Sequence, residues 1–102
     1  MKNFLKICRI DELEEGRGRK FNAGRYRIAV FRHNEKVYAF QNACPHQNAD
    51  LADGYIRHDK LFCRLHHWAF DLETGAYAFN SEMRLRTFTV VVKDGLVYID
   101  IN

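Results

Sequence analysis

The sequence predicts an all-β protein, and three observations support this prediction. Short segments rich in β-branched and aromatic residues follow one another along the chain and are separated by turn residues. No stretch shows the sustained 3.6-residue apolar period of an amphipathic helix. The clearest hairpin signal is Asp94-Gly95, which lies between β-prone runs at residues 86–93 and 96–101.

The first strand is predicted over residues 4–10, which are mostly apolar. Residues 11–14 then predict one helical turn, with Asp11 as its capping residue and Glu14 at the reciprocal position of a capping box. Cys8 lies inside the first strand and is interpreted as a small buried hydrophobic residue. Loops around the helical turn are indicated by three glycines: Gly16, Gly18 and Gly24.

A hairpin is predicted next. Its strands cover residues 25–32 and 36–41, and residues 33–35 form the turn, so that His33 is interpreted as a turn residue. Farther along, Gly54 and the polar residues around Asp59 indicate turns that bound short strands. A further strand is predicted over residues 68–72, and it is turned back at Gly75, which is free to take a positive φ.

Charge is unevenly distributed, although the net charge is only +3. Most of the charged residues at positions 17–36 are basic, and aromatic residues lie among them. This combination is found on nucleic-acid-binding surfaces. The alternation along residues 26–31 is described more simply as a strand whose solvated arginines lie between core residues. We therefore expect no nucleic-acid partner, while a basic surface can still steer docking to an acidic protein.

Length and composition predict a single domain over residues 1–102. Apolar residues make up 47% of the chain and aromatic residues 14%, which is enough for a packed core. The apolar runs are far shorter than a membrane span, and residues 1–10 do not resemble a signal peptide. Three cysteines do not form the even-numbered set that is paired in the disulfides of small secreted domains. The chain is therefore expected to be cytoplasmic, without a membrane partner.

Two short motifs carry the chemistry, and each supplies one thiolate and one imidazole. They are separated by residues 47–62 and are Cys44-Pro45-His46 and Cys63-Arg64-Leu65-His66. Two sulfur and two nitrogen ligands can bind a tetrahedral zinc ion or an iron–sulfur cluster. A zinc finger usually groups its cysteines in one half and its histidines in the other. The mixed order found here is the order that a Rieske centre needs, because one iron takes both cysteines and the other takes both histidines.

These motifs, together with Leu51, Gly54, Phe70 and Gly75, resemble the Rieske [2Fe–2S] domain family. The resemblance implies a Rieske fold of three stacked antiparallel β-sheets, in which two loops, at about residues 43–49 and 63–68, form a cluster-binding tip. It also implies one Rieske-type [2Fe–2S] cluster. Four residues are implied as its ligands, the cysteines on the inner iron and the histidines on the outer iron, whose reduction stores the electron: Cys44, His46, Cys63 and His66. The other histidines are interpreted as surface or turn residues: His58 and His67.

The departures from respiratory Rieske proteins are informative. Those proteins carry a disulfide between their ligand loops, but the matching positions here are Ala49 and Leu65. They also use a serine and a tyrosine to bond the cluster sulfurs, where this chain has Trp68 and Phe70. Fewer hydrogen bonds to sulfur predict a reduction potential at the low end of the Rieske range, about −150 mV. The proline-containing third loop of many small Rieske proteins corresponds to residues 79–84, which lack proline.

The predicted function is therefore that of a soluble Rieske ferredoxin, an electron carrier without catalysis of its own. It would pass single electrons from a flavin-dependent reductase to a terminal oxygenase. An alternative is the small Rieske subunit of an assimilatory NAD(P)H nitrite reductase, which would act with the large subunit of that enzyme. A third, remote alternative is a zinc-stabilised interaction domain.

Overall fold

The computed structural model describes residues 3–45, 49–65 and 67–101, with only the backbone described for Ser81. Within these residues the secondary structure consists of strands and two short 3₁₀ turns, Ile10–Glu12 and Leu51–Asp53. The strands, numbered in chain order, are β1 (Phe4–Arg9), β2 (Gly18–Ala23), β3 (Tyr26–His33), β4 (Lys36–Gln41), β5 (Tyr55–Arg57), β6 (Lys60–Phe62), β7 (Ala69–Asp71), β8 (Ala76–Tyr77), β9 (Asn80–Arg84), β10 (Thr87–Phe88), β11 (Val90–Lys93) and β12 (Leu96–Asp100).

The strands form three antiparallel sheets. A three-stranded sheet has the order β1-β12-β11, a four-stranded sheet has the order β10-β4-β3-β2, and a five-stranded sheet has the order β5-β6-β7-β8-β9. The four-stranded sheet leads into the first predicted ligand loop after β4. The five-stranded sheet carries the second loop between its neighbouring strands β6 and β7. The all-β prediction is confirmed.

The four-stranded sheet lies between the other two sheets, and β3 shows why. Ile28 and Val30 belong to an apolar cluster that includes residues of β1 and β12. Ala29 and Phe31, on the opposite face of β3, belong to a second cluster that includes residues of β6 and β7. All four side chains are fully buried. A strand with both faces covered loses the polar-apolar alternation of a surface strand. This packing confirms the three stacked sheets that the family resemblance implies.

Tight two-residue turns set the register of the hairpins. Asn34-Glu35, His58-Asp59 and Asp94-Gly95 all have positive φ at both central positions, between 50° and 75°. This is the combination that matches the right-handed twist of two antiparallel strands. The predicted Asp-Gly hairpin is confirmed, and so is the place of His58 in a turn.

Two predictions of strand position were wrong. Gly18 begins β2 rather than lying in a loop, and it has no side chain because a Cβ there would collide with the Ala52 carbonyl and the Phe31 ring. Residues 86–93 do not form one strand. β10 pairs with β4 in the four-stranded sheet, whereas β11 pairs with β12 in the three-stranded sheet, so the chain changes sheets at Thr89.

The prediction that Asp11 and Glu14 cap the helical turn was also wrong. The carboxylate that accepts the backbone N–H of Arg9 is Glu12, at 2.7 Å, whereas Asp11 pairs with the guanidinium of Arg9 at 3.1 Å. His33 is the last residue of β3 rather than a turn residue. Its ring lies between two carboxylates, at 3.3 Å from Glu15 and 2.8 Å from Asp59. The backbone of His33 pairs with Lys36 in the β3–β4 ladder, while its ring contacts carboxylates from two distant segments.

Several basic side chains of the amino-terminal half are paired with carboxylates. Lys20 and Arg27 both contact Asp50, at 3.1 and 2.6 Å, and Arg27 is exposed on β3 as the solvated-arginine interpretation predicts. Arg19 pairs with Glu12 at 3.8 Å. In the part of the chain that the structure describes, no helix is long and apolar enough to cross a membrane.

Candidate metal centre

Both predicted ligand loops are closed by the same kind of backbone bond. The N–H of Cys44 donates to the carbonyl of Ala49, and the N–H of Cys63 donates to the carbonyl of Trp68, each at 2.8 Å. In each case the acceptor lies five residues after the cysteine. The two loops therefore present a cysteine at their first position in a similar way, although the sequences between cysteine and acceptor differ.

The first loop is fixed by two amide side chains that the sequence reading did not single out. Asn42 is 2% exposed, and its Oδ1 accepts the N–H of Ala52 at 2.9 Å. Gln41 donates through Nε2 to the carbonyl of Ala43 at 2.8 Å and accepts the N–H of Arg86 through Oε1, also at 2.8 Å. Buried polar side chains are stable only when they are hydrogen-bonded. Two consecutive amide residues, separated from the predicted ligand Cys44 only by Ala43, were the available sequence signal.

The second loop packs against aromatic rings of the five-stranded sheet. Trp68 stacks on Tyr77 with ring centroids 4.2 Å apart and an interplanar angle of 14°. Tyr77 in turn contacts Phe79 edge to face at 5.8 Å. Phe79 lies in the turn between β8 and β9 and is 87% exposed. The segment expected to be a third loop is thus largely the strand β9, paired with β8.

The two cysteine thiols meet inside the core. Cys44 and Cys63 are 2% and 1% exposed, and both belong to the apolar cluster that contains Phe40 and Phe70. Burial, together with the hydrogen bond with the Cys44 thiol, raises the pKa of the Cys63 thiol to about 11, although a backbone hydrogen bond at Leu65 lowers it. At neutral pH the thiol therefore keeps its proton until a metal displaces it.

The other two predicted ligands, His46 and His66, lie outside the described residues. Among the residues that are described, no group of three or more histidine, cysteine or acidic side chains is gathered into a metal site. Cys8 is buried in the other apolar cluster, as the sequence predicts. The structure thus brings together the sulfur half of the predicted ligand set and separates it from the third cysteine.

The donor chemistry of this site fits an iron–sulfur cluster. Two thiols in contact, shielded from water, supply the soft ligands that iron–sulfur clusters and zinc prefer. The loops that present them are closed by backbone bonds rather than by a disulfide, since all three cysteines are free. The site can therefore accept a metal group without breaking a covalent link.

Comparison with known families identifies the domain. Residues 3–89 match the family model of the Rieske [2Fe-2S] domain. The chain belongs to the Rieske domain family. The 3-phenylpropionate/cinnamic acid dioxygenase ferredoxin subunit of Photorhabdus laumondii is 35% identical over 100 residues, which cover 96% of this chain and 94% of that protein. The family's Rieske-type [2Fe–2S] cluster is therefore the cofactor of this domain.

Solved structures of Rieske proteins have the same fold. A structure of the carbazole 1,9a-dioxygenase complex of reduced oxygenase and oxidised ferredoxin contains a chain that is 35% identical, with a TM-score of 0.82, covering 93% of this chain and 99% of that one. A putative NADH-dependent nitrite reductase small subunit from Mycobacterium tuberculosis has a TM-score of 0.88 at 20% identity, covering 94% of this chain and 92% of that one. At that identity the second likeness shows the fold alone.

Residues that distinguish this Rieske domain from respiratory ones occupy defined places. Ala49 packs against the core, whereas Leu65 is 43% exposed. Phe70 is fully buried, and Trp68 is half-buried beneath Tyr77. His67 is exposed, as predicted for a surface residue beside the cluster. The low reduction potential expected from Trp68 and Phe70 stays a prediction.

Proposed function

We propose that this Rieske domain is a one-electron carrier whose cluster is held by Cys44, His46, Cys63 and His66. The observation that carries the proposal is the contact between two buried thiols at the first positions of two similarly closed loops. A bound Rieske cluster supplies one reversible electron, stored on the histidine-ligated iron. The described side chains supply its enclosure: they shield the sulfur side from water and fix both cysteines. This is the role of a carrier without catalysis of its own.

The proposed redox partners are a flavin-dependent reductase as the donor and a terminal oxygenase as the acceptor. The relatives with 29–35% identity include ferredoxin components of an alkene monooxygenase and of several dioxygenases. One solved relative is a ferredoxin bound to its oxygenase. A cytoplasmic location is part of this proposal, because residues 1–10 do not resemble a signal peptide. All three cysteines are buried and free, which also suits a reducing compartment.

The end of the molecule that carries the ligand loops offers an apolar surface for these partners. Leu65 lies in the second loop and is 43% exposed, and Phe79 is 87% exposed. Phe79 is joined to the second loop through Tyr77 and Trp68. Large apolar side chains exposed together favour protein contacts. A partner that covers this surface would come within a short distance of the ligand loops.

The alternative of a nitrite reductase small subunit has less support. The small-subunit structure shares 20% identity, which establishes the fold and nothing more, whereas the ferredoxin relatives reach 35%. Co-purification with a large sirohaem reductase subunit would favour the alternative. For the zinc-stabilised domain, a colourless protein with one zinc ion and no sulfide is the decisive outcome.

The ligand assignment is tested by four single variants. His46→Ala and His66→Ala are expected to abolish the Rieske electron paramagnetic resonance (EPR) and visible spectra, because the histidine-ligated iron loses a ligand. The matched control Cys8→Ser is expected to leave both spectra unchanged, and His67→Ala is expected to keep the cluster and a Rieske-type spectrum, because neither residue belongs to the proposed ligand set. Iron and sulfide contents measured on the same samples separate a lost cluster from a changed spectrum. An intact Rieske spectrum in either of the first two variants would refute the assignment.

The carrier role is tested on the same wild-type protein. Stopped-flow mixing of the reduced protein with a purified terminal oxygenase is expected to reoxidise it by one electron per molecule, with no product formed by the carrier alone. A protein that holds the cluster but exchanges electrons only within a tight reductase complex would contradict the carrier role while leaving the ligand assignment intact.

A further inference from the structure

Residues 53–55 contact the second ligand loop at three separate points. Gly54 packs against the backbone of Phe62, the residue directly before Cys63, so closely that an added Cβ would collide with the Phe62 carbonyl. The carbonyl of Asp53 accepts a hydrogen bond from Nε of Arg64 at 2.7 Å. Two of the three contacts therefore flank Cys63 on either side.

The third contact is made by the side chain of Tyr55. Its hydroxyl oxygen is hydrogen-bonded to Nδ1 of His67 at 2.8 Å. His67 directly follows the predicted ligand His66 in the sequence. The contacts of residues 53–55 thus extend from the residue before the cysteine ligand to the residue after the histidine ligand.

His67 needs an external contact because of its backbone conformation. Its φ is 53°, in the left-handed region that is uncommon for residues other than glycine. His67 is exposed, so apolar packing does not hold it in place. The only hydrogen bond described for its ring is the one to Tyr55. A specific side-chain bond of this kind can select an otherwise sparsely populated loop conformation.

Tyr55 is itself well fixed. Its ring lies parallel to that of Phe62, its partner in the β5–β6 register, with centroids 5.2 Å apart and an interplanar angle of 3°. Its backbone also forms an isolated antiparallel bridge with Arg17. The hydroxyl is therefore held at a defined place relative to both β6 and the segment before β2. A fixed donor or acceptor orders a loop more effectively than a mobile one.

We propose that Tyr55 is a positioning residue of the Rieske site, which acts through His67 to hold the second ligand loop in its metal-binding conformation. The inference rests on the proposed ligand assignment, because His67 directly follows the proposed ligand His66 in the sequence. Tyr55 needs no contact with the cluster for this role. Loss of its hydroxyl loosens the loop, so that the histidine-bound iron is held less uniformly and is released more readily.

The test is Tyr55→Phe, which keeps the ring that stacks on Phe62 and removes only the hydroxyl. We expect this variant to contain the cluster, to show broadened or shifted EPR g-values, and to lose iron to a ferrous chelator after reduction about fivefold faster than wild type. That factor corresponds to one hydrogen bond of ordinary strength. Thermal unfolding of the sheets is expected to be almost unchanged.

The matched control is Tyr77→Phe, which removes a hydroxyl from a ring that stacks on Trp68 in the same loop. No hydrogen bond is described for the Tyr77 hydroxyl, so this variant is expected to match wild type in both EPR signal and iron release. His67→Asn removes the imidazole and tolerates positive φ. If Tyr55 acts through His67, the double variant should release iron no faster than the faster single variant.

The outcomes separate this inference from the proposed function. Wild-type protein without a Rieske spectrum would refute the ligand assignment. Normal wild-type spectra together with wild-type behaviour of Tyr55→Phe would refute the role of Tyr55 alone. Additive effects of the two substitutions would show that Tyr55 does not act through His67. If Tyr55→Phe does not fold, the same comparison of EPR signal and iron release is made on His67→Asn, where wild-type behaviour refutes the inference.

Discussion

Single residues of one type take different roles here because their neighbours differ. Cys8 and Cys63 are both buried cysteines, and burial raises the pKa of each thiol. Cys8 belongs to an apolar cluster that contains no other cysteine, whereas Cys63 faces a second thiol. Only the second arrangement can offer two soft ligands to one metal group. The position of a partner side chain, more than burial, separates a structural cysteine from a functional one.

Two tyrosines are expected to give opposite responses to alkaline pH. Burial, together with the Glu73 carboxylate, raises the pKa of Tyr38. The hydrogen bond from Arg25, together with the charge of Arg86, lowers the pKa of Tyr26. Above about pH 10, the ordinary pKa of tyrosine, the folded state keeps the proton of Tyr38 longer than the unfolded chain does, so stability falls. Tyr26 loses its proton at a lower pH in the folded state than in the unfolded chain. Its contribution to the free energy of unfolding therefore rises as the pH passes through the lowered pKa.

The check is chemical denaturation of wild type, Tyr38→Phe and Tyr26→Phe at pH 8 and pH 11. Relative to wild type, Tyr38→Phe should lose less free energy of unfolding between the two pH values, and Tyr26→Phe should lose more. Equal losses in all three proteins would show that neither tyrosine is perturbed in the folded state.

At the scale of elements, the short strands β5, β6 and β7 position the second ligand loop. Each has three residues, too few for a stable hairpin without tertiary packing. Leu61 and Phe70 are fully buried, and they are register partners across β6 and β7. The central sheet covers their apolar face, because Phe31 and Phe40 belong to the same cluster. The loop is thus supported by packing rather than by strand length.

Gly54→Ala tests how closely the start of β5 must approach β6. Gly54 has a φ of −77°, so alanine meets no conformational penalty there, but its Cβ would meet the carbonyls of Phe62 and Leu51. We expect a loss of about 2–3 kcal/mol in the free energy of unfolding, typical of overpacking, together with a reduced iron content.

Gly24→Ala is the matched control for that substitution. Gly24 has a φ of 60° and no atom within 4 Å of an added Cβ, so alanine should cost only the strain of the left-handed conformation, about 1 kcal/mol. Its iron content should equal that of wild type. An unchanged iron content in Gly54→Ala would show that β6 can shift without disturbing Cys63.

At the scale of the whole molecule, three sheets stacked on one another place the two ligand loops against one core. The cluster of side chains around Phe40 and Phe70 contains Cys44 and Cys63, and the cluster around Val97 and Ile99 contains neither of these two proposed ligands. Of two exposed apolar residues, Leu65 belongs to the second ligand loop, and Phe79 contacts Tyr77, whose ring stacks on Trp68 of that loop. The exposed Val92 lies in the three-stranded sheet, on the other side of the central sheet. We expect the exposed residues near the second ligand loop to contact a redox partner, and we expect Val92 to make no such contact.

Phe79→Asp is expected to slow electron transfer to a terminal oxygenase about tenfold at subsaturating concentration, because an apolar contact is replaced by a charge. Reduction of the variant by dithionite should be as fast as in wild type, since the ligand loops are unchanged. The control Val92→Asp places the same charge on the three-stranded sheet and should transfer electrons like wild type. Equal rates for Phe79→Asp and wild type, or equal slowing by both variants, would contradict a partner surface at Phe79.

Some features followed from local chemistry and needed no structure. Ligand types and their order in the two motifs identified the family, because a Rieske centre requires one thiolate and one imidazole from each loop. The Asp94-Gly95 turn was predictable because few residue pairs accept positive φ at two successive positions. The burial of Cys8 followed from the apolar run around it. The ligand roles of His46 and His66 remain predictions, since both residues lie outside the described part of the chain.

Other features depend on pairing between distant segments. Local chemistry predicts a loop at Gly18, because glycine is rare in strands, but this glycine lets β2 pass the Ala52 carbonyl. His33 gave no sign of its contacts with Glu15 and Asp59. Residues 86–93 have continuous β propensity, and only the competition between β4 and β12 for pairing divides them into β10 and β11.

The sequence by itself identified the kind of metal centre, because the residue types and their order in the two motifs are properties of neighbouring residues. Tertiary structure alone decided how that centre is held. Three sets of contacts join residues from separate segments: the contact between Cys44 and Cys63, the hydrogen bonds of the Asn42 and Gln41 amides, and the Tyr55–His67 bond. Such contacts depend on sheet packing, which periodicity in one segment does not encode.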